Sequence, residues 1–265
     1  KKLRYPHRQR LDFLNAHAAV VEQRDDLCIE RITLYNQIGD YQTAYDLINT
    51  RKFHPWEGGE GKITSQYVFC RVELAKQALK EKRYADAVRL LKETEKYPDN
   101  LGEGKLSMAE ENDIHYWMAC AYEGLQETTL AREYFEKATQ GSAEPAIAFF
   151  YNDQQPDKIF YQGLAWRKLG KEEKARSCFN KLIKHGEKHL FDKVKIDYFA
   201  VSLPDLLIWD DDLNVRNLIH CNLVMGIGYL GLGNKELARK FLSEVVRLDI
   251  NHQAGAQLLA LCDIL

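Results

Sequence analysis

The stretch YQGLAWRKLGKEEKARSCFNKL, residues 161–182, contains the pattern that decides the fold. Gly163 is followed three residues later by Trp166, and then by Gly170 and Ala175. A small residue lets one helix approach another closely, an aromatic ring fills the space beside it, and glycine ends a helix at little conformational cost. The stretch therefore predicts two helices joined by a tight turn.

The same order of residues recurs four more times along the chain. The other copies are ERITLYNQIGDYQTAYDLI (30–48), VELAKQALKEKRYADAVRLL (72–91), WMACAYEGLQETTLAREYFEKA (117–138) and LVMGIGYLGLGNKELARKFLSEVVRLD (223–249). The first copy matches only at its later positions, and the second departs from the pattern because Lys82 stands where glycine is usual. No segment shows the sustained polar–apolar alternation of a strand, so we predict an all-α protein of about five helical hairpins.

These copies resemble the tetratricopeptide repeat, in which a small residue, an aromatic residue, a glycine and an alanine follow one another in this order. The resemblance implies a right-handed α-solenoid, a superhelix of helix–turn–helix units with a concave inner face. We expect one domain over residues 1–265, with a leading helix at 1–24, five repeats at 25–250 and a capping helix at 251–265. The chain does not begin with methionine, and we expect it to be a fragment of a longer protein.

The segments between the repeats are unusually long. The aligned alanines are 43, 44, 44 and 63 residues apart, at positions 44, 87, 131, 175 and 238, whereas a standard unit has about 34 residues. The extra segments contain aromatic side chains among acids and amides, a composition that a merely flexible linker lacks. We therefore expect these long inter-repeat loops to pack, either on the repeats or on a partner.

Two of the loops contain the same four residues, Gly-Glu-Gly-Lys, at 59–62 and at 102–105. A phosphate-binding Walker loop needs a further glycine five residues before the Gly-Lys pair and a serine or threonine after it. Neither stretch has that glycine, and an aliphatic residue follows each lysine. We interpret the two stretches as corresponding loops of neighbouring repeats.

Charge and hydropathy limit the class of partner. The chain has 37 basic and 39 acidic residues, a net charge of −2, and we expect no nucleic-acid partner because that would need a clustered basic surface. No run approaches the roughly 18 apolar residues of a membrane span, so we also expect no membrane partner. The six cysteines form no C-x-x-C pair and are typical of buried apolar residues in a reducing compartment. We expect a cytoplasmic protein.

No group of residues has a recognisable catalytic or metal-binding signature. His185 and His189 are four residues apart, but they lie in HGEKH rather than in the HExxH of zinc proteases. The acidic run 210–212 lacks the alternation and central glycine of a calcium-binding loop. We expect no metal ion, no cofactor and no enzymatic activity.

The expected function is non-catalytic binding of a protein or peptide, or of an upstream catalytic domain of the same chain, through the concave face and the long loops. Aromatic side chains would anchor the partner, and polar side chains would orient it. The predicted partner-binding residues are Trp56, Glu60, Lys62, Tyr116, Trp117, Tyr151, Asp153, Gln154 and Trp209. The alternative is a carbohydrate-binding or carbohydrate-processing accessory module, with aromatic side chains and the carboxylates of Glu57, Glu60 and Glu103 lining a pocket.

In the tetratricopeptide family, inward positions of each first helix decide the ligand. The register places aromatic and charged side chains there, namely Phe69, Glu73, Tyr116, Trp117, Phe160, Tyr161 and Arg167. The Lys, Asn and Arg clamp of chaperone-tail binders is absent, so we expect a different ligand. These side chains either contact that ligand or pack against the long loops.

The loops HPWEGGEG, FFYNDQQPDKIFYQG and FDKVKIDYFAVSLPDLLIWDDDLN are also similar to those in the C-terminal repeat segment of large bacterial proteins. In those proteins a β-sandwich domain of unresolved function precedes the repeats. That resemblance implies that this chain docks on an upstream domain.

Overall fold

The computed structural model describes residues 4–107, 109–146, 155–194 and 212–263. The helices are α1 His7–Ala16, α2 Ala18–Val21, α3 Asp25–Gln37, α4 Tyr41–Asn49, α5 Lys62–Lys80, α6 Tyr84–Lys92, α7 Asn112–Gly124, α8 Thr128–Ala138, α9 Pro156–Lys168, α10 Glu172–His189, α11 Leu213–Gly231, α12 Lys235–Leu248 and α13 Gln253–Leu261. Two short 3-10 helices, Glu93–Glu95 and Asp99–Leu101, lie between α6 and α7. The described ranges contain no β-strand, which confirms the predicted all-α fold. None of their helices is long and apolar enough to cross a membrane.

Each predicted repeat forms a pair of consecutive helices, from α3/α4 to α11/α12. The turns at Gly39, Gly170 and Gly233 have φ angles of 85°, 73° and 79°, a left-handed conformation that glycine adopts without steric cost. Lys82 and Gln126 take the same conformation in the other two turns, with φ of 60° and 66°. The turn geometry is therefore kept where glycine is missing, at a cost in backbone strain.

The small residues of the repeats bring their helices into close contact, as predicted. A Cβ atom on Gly163 would lie 2.4 Å from the ring of Phe179, and one on Gly226 would lie 2.7 Å from Leu242 Cγ. Gly231 approaches the same Phe179 ring, where a Cβ atom would lie 2.2 Å away. These glycines leave the space that large side chains of neighbouring helices fill.

The chain divides into two compact units. Unit 1 comprises Lys1–Ala109 and Trp117–Ala131, and unit 2 comprises Glu110–Tyr116 and Arg132–Leu265. Helices α7 and α8 contribute residues to both units.

The core of unit 1 includes residues from the inter-repeat loops as well as from the helices. Ile32, Ile48 and Ile63 are buried on α3, α4 and α5. Phe53 and Leu101, both in loop segments, are 1% and 0% exposed in the same cluster. The first two long loops therefore pack on the repeats.

The first helix and the last helix of the chain match the predicted leading and capping helices to different extents. The single leading helix expected at 1–24 is wrong, because His17, with φ of −117° and ψ of 32°, interrupts it between α1 and α2. Helix α13 lies at the position of the expected capping helix, and Leu258 and Leu261 are buried on it. The predicted single domain stays a prediction.

All six cysteines are free thiols, and Cys120 is the only one that is not fully buried. Burial raises the pKa of Cys70 to about 12 and that of Cys221 to about 11. Their thiols stay protonated at neutral pH and pack as small apolar groups.

Candidate functional site

The two Gly-Glu-Gly-Lys stretches contact each other in unit 1. Gly61 has a left-handed φ of 72° at the N-cap of α5, and its backbone N–H donates to Glu103 Oε2 at 2.8 Å. The first N–H groups of a helix lack intrahelical acceptors, and the second loop supplies one from its glutamate. The repeated sequence thus builds a loop–loop contact rather than a phosphate cradle.

Three of the predicted partner-binding residues lie at this contact. The ring of Trp56 covers Gly59, where a Cβ atom would lie 2.2 Å from Trp56 Cε2, yet the residue remains 37% exposed. Burial raises the pKa of Glu103, and the nearby charge of Glu60 raises it further, against the hydrogen bond from Gly61. Lys62 is the first residue of α5. Their roles in binding stay predictions.

Hydrogen bonds hold both loops in place. The backbone N–H of Phe53 donates to Asn100 O at 2.7 Å, and Asn100 Nδ2 donates to the carbonyls of Ile48 at 2.8 Å and Arg51 at 2.9 Å. Gly102 leaves room for this contact, because a Cβ atom there would lie 2.6 Å from Phe53 O. Glu103 Oε2 accepts the hydrogen bond from Gly61 beside this contact, and the carbohydrate alternative, which also used Glu57 and Glu60, stays a prediction.

In unit 2, side-chain amides donate hydrogen bonds to the backbone carbonyls at helix C-termini. Asn112 Nδ2 donates to the carbonyls of Ala138 and Gln140, at 2.9 Å and 2.8 Å, at the end of α8. Asn217 Nδ2 donates to His189 O at 2.7 Å at the end of α10. The final carbonyls of a helix need such donors, so these buried amides position the repeats.

A cluster of polar and aromatic side chains lies in unit 1, on α4, α5 and α7. Glu73 and Lys76 of α5 form an ion pair at 2.7 Å, and the Lys76 ammonium lies 5.4 Å from the ring centre of Trp117. Tyr41, the first residue of α4, hydrogen-bonds to Glu73 and contacts Phe69 edge-on, with ring centres 6.1 Å apart. We call these five residues the Tyr41–Trp117 cluster.

The polar groups of this cluster are held in place by burial and by one another. Burial raises the pKa of Tyr41 to about 12, and the charge of Glu73 and its hydrogen bond to the phenol add to the effect. Tyr41 therefore remains a hydrogen-bond donor at neutral pH. A cation over an aromatic face and a carboxylate with two donors form a fixed polar edge beside half-buried rings. Three of the inward residues predicted from the register, Phe69, Glu73 and Trp117, lie in this cluster.

Tyr116 belongs to a different set of contacts, within unit 2. Its ring centre lies 5.8 Å from that of Phe135 and 5.6 Å from that of Tyr161. Tyr161 in turn lies 5.4 Å from Phe160, and both are buried. Phe160 is fully buried in this aromatic packing, so its ring has no face open to a ligand. The role of Tyr116 in binding stays a prediction. The other predicted residues, Tyr151, Asp153, Gln154 and Trp209, lie outside the described residues.

The two histidines considered as a metal pair do contact each other. Their ring centres, on His185 and His189, are 4.6 Å apart, and His189 Nδ1 lies 2.6 Å from Asp192 Oδ2. Within the described ranges, no three His, Cys, Asp or Glu side chains are arranged to hold a metal ion. Two residues of the acidic run 210–212 lie outside those ranges.

Comparison with known families identifies two of the hairpins. Residues 113–140 and 159–185 each match a tetratricopeptide-repeat family model. These are α7/α8 and most of α9/α10, the third and fourth of the predicted copies. The chain therefore contains tetratricopeptide repeats.

The solved structures to which the chain is similar have low sequence identity and low TM-scores. YrrB, described as a TPR protein with an unusual peptide-binding site, is 12% identical over 91% of this chain and 95% of its own, with a TM-score of 0.32. BtubC from P. vanneervenii is 13% identical over 91% of this chain and 85% of its own, with a TM-score of 0.35. The quorum sensor NprR from B. thuringiensis is 15% identical over 97% of this chain and 66% of its own, with a TM-score of 0.31.

Proposed function

We propose that this tetratricopeptide-repeat protein is a non-catalytic scaffold that binds another polypeptide through the Tyr41–Trp117 cluster. The observation that carries the proposal is the fixed arrangement of Glu73, Lys76 and Trp117 on neighbouring first helices. Sequence matches identify the repeat type, whose usual role is protein interaction. The partner is a separate protein or an upstream part of the same chain.

The cluster suits a polypeptide because it combines two kinds of contact. The rings of Tyr41, Phe69 and Trp117 are half-buried and offer rigid apolar area at a low cost in conformational entropy. The Glu73–Lys76 pair, whose side chains are 11% and 19% exposed, would orient the peptide through its remaining hydrogen-bonding capacity. Aromatic residues of this kind dominate the energy of most protein interfaces. Trp56, exposed on the first loop, would add an anchor outside the cluster.

A matched pair of tryptophans provides the test. Trp166 of α9 also has a lysine over its ring, because Lys174 Nζ lies 4.1 Å from the ring centre. The full chain is used to capture a binding polypeptide from the cells that make it, and the affinity for the purified partner is then measured. We expect Trp117→Ala to weaken that affinity at least tenfold, with Trp166→Ala within twofold of the wild type. Equal effects of the two variants, or none from Trp117→Ala, would refute the proposed site.

A second experiment decides whether the partner is a separate protein or an upstream part of the same chain. If the partner is an upstream part of the same chain, the longer protein will occupy the cluster and will bind no added polypeptide. If the partner is separate, this chain will bind it whether or not an upstream segment is attached. Fluorescence quenching by a soluble quencher, measured with Trp117 as the one tryptophan left after the other three are replaced by phenylalanine, reports whether the cluster is covered.

A further inference from the structure

A second polar region lies within unit 2, at the first turns of α7 and α9. Lys158 forms an ion pair with Asp113, and its ammonium lies 4.0 Å from Asp157 Oδ2. Burial alone would lower the pKa of Lys158, but the two carboxylates raise it above its ordinary value. Lys158 therefore stays charged and fixed among acidic groups.

Among the described residues of this region, acidic groups outnumber Lys158. Glu111 also acts on the charge of Lys158, and Glu110 interacts with both Lys158 and Asp157. Burial raises the pKa of Glu110 and of Asp157, as expected for carboxylates that lack full compensation. We call the region formed by Glu110, Glu111, Asp113, Asp157 and Gln162 the acidic corner.

Two buried oxygen atoms in the acidic corner accept no hydrogen bond. Gln162 is 1% exposed, and its Nε2 donates to Gln140 O at 2.7 Å and Ser142 O at 3.1 Å. These two carbonyls fix the orientation of the amide, so Gln162 Oε1 is an acceptor without a donor. Glu110 Oε2 is buried without a partner as well. A buried acceptor without a donor destabilises the folded state.

The two side chains meet beside an exposed part of the backbone. A Cβ atom on Gly141 would lie 3.2 Å from Glu110 Oε1 and 3.5 Å from Gln162 Nε2. Gly141 is exposed, and Glu110 lies in the loop before α7 rather than on a helix.

We propose that the acidic corner binds a positively charged side chain, an arginine in preference to a lysine, presented by a polypeptide partner. A guanidinium group carries five N–H donors in a planar fork and can reach acceptors on two different side chains. The guanidinium group would donate hydrogen bonds to Gln162 Oε1 and Glu110 Oε2. It would also add a positive charge among the carboxylates. The site adds a charge requirement to the proposed function and lies in the other unit from the Tyr41–Trp117 cluster.

The test compares two ligands of nearly the same shape on the full chain. N-acetylarginine amide carries the guanidinium, and N-acetylcitrulline amide replaces it with a neutral urea. Both are titrated at low ionic strength and pH 7, and nuclear magnetic resonance follows the backbone amide of Gly141 and the side-chain amide of Gln162. We expect saturable shifts with the arginine compound and at least tenfold weaker binding of the citrulline compound.

Two variants distinguish binding at the acidic corner from an effect of the net charge of the protein. Glu110→Gln keeps the shape of the side chain and should weaken binding of the arginine compound at least tenfold. Glu144→Gln removes a carboxylate from the neighbouring loop, where Glu144 pairs with Lys181, and should stay within twofold of the wild type. Equal binding of the two ligands, or wild-type affinity in Glu110→Gln, would overturn the proposal. Trp117→Ala should leave arginine binding unchanged, so this site and the proposed function fail independently.

Discussion

Glu103 accepts a hydrogen bond from the backbone N–H of Gly61 across 42 positions of sequence, at 2.8 Å. The bond joins the second long loop to the start of α5 and gives an acceptor to a helix terminus that lacks one. Glu103→Ala removes that acceptor, and we expect it to lower the free energy of unfolding by about 1 kcal/mol, the usual effect of losing a helix cap. Urea denaturation measures the change. Glu57→Ala, an exposed glutamate in the first loop, is the control and should change stability by less than about 0.5 kcal/mol. Equal stability of the two variants would show that the cap contributes nothing.

Lys82 occupies a left-handed turn in which three other repeats have glycine. We expect Lys82→Gly to raise the free energy of unfolding by about 1 kcal/mol, because an L-residue pays roughly that cost at positive φ. Lys80→Gly, two residues earlier and still within α5, should lower stability by a similar amount through loss of helix propensity. Thermal unfolding of the two variants gives opposite shifts if the turn is strained. A loss of stability in Lys82→Gly would show that the backbone at Lys82 is not strained.

Gly163 allows close contact between α9 and α10 at the ring of Phe179. Gly163→Ala should lower the free energy of unfolding by about 1–3 kcal/mol through overpacking, although the better helix propensity of alanine offsets part of this. Adding Phe179→Leu should recover part of the loss, a coupling that a double-mutant cycle in urea would measure. Gly104→Ala has no atom within 4 Å of the new Cβ and should be nearly neutral. Simple additivity of the two substitutions would argue against the contact.

Acid sensitivity should come from His220. Burial, and then the neighbouring His185, lower its pKa to about 4, so the folded protein keeps this ring neutral while the unfolded chain protonates it near 6.5. The unfolded state then binds more protons, and stability falls as pH drops from 6.5 towards 4, by about 3 kcal/mol in total. His220→Asn should reduce this dependence without abolishing it, because burial also lowers the pKa of His185 and of His252. The exposed His17→Asn should retain the dependence in full. Denaturation at pH 7 and pH 4.5 distinguishes them, and equal pH slopes in the two variants would contradict the assignment.

The sequence predicted the helical hairpins because their determinants are local. Glycine at a turn and a small residue opposite a large one recur at fixed spacing, and both Gly170 and Gly163 act in the structure as expected. The burial of Phe53 and Leu101 could not be predicted, since neither loop has a helical or strand period. The bond between Glu103 and Gly61 depends on how two repeats come together in three dimensions.

The candidate site was only partly predictable for the same reason. Trp117, Glu73 and Phe69 follow from the register of the first helices. Tyr41 was missed, because it begins a second helix and reaches Glu73 only through the packing of α4 on α5. Lys76 was missed as well, since a lysine on a helix is ordinarily solvated, and no sequence signal distinguishes one that lies over a tryptophan ring.

Site-specific photocrosslinking tests the central claim most directly. A photoreactive phenylalanine analogue replaces Trp117 in one version of the chain and Trp166 in another, and each is irradiated in the cells that produce the protein. The proposed function predicts a discrete polypeptide adduct from position 117 that is absent from position 166, and lost when Glu73→Ala is added to the first version. No adduct from position 117, or the same adducts from both positions, would contradict binding of a polypeptide at the Tyr41–Trp117 cluster.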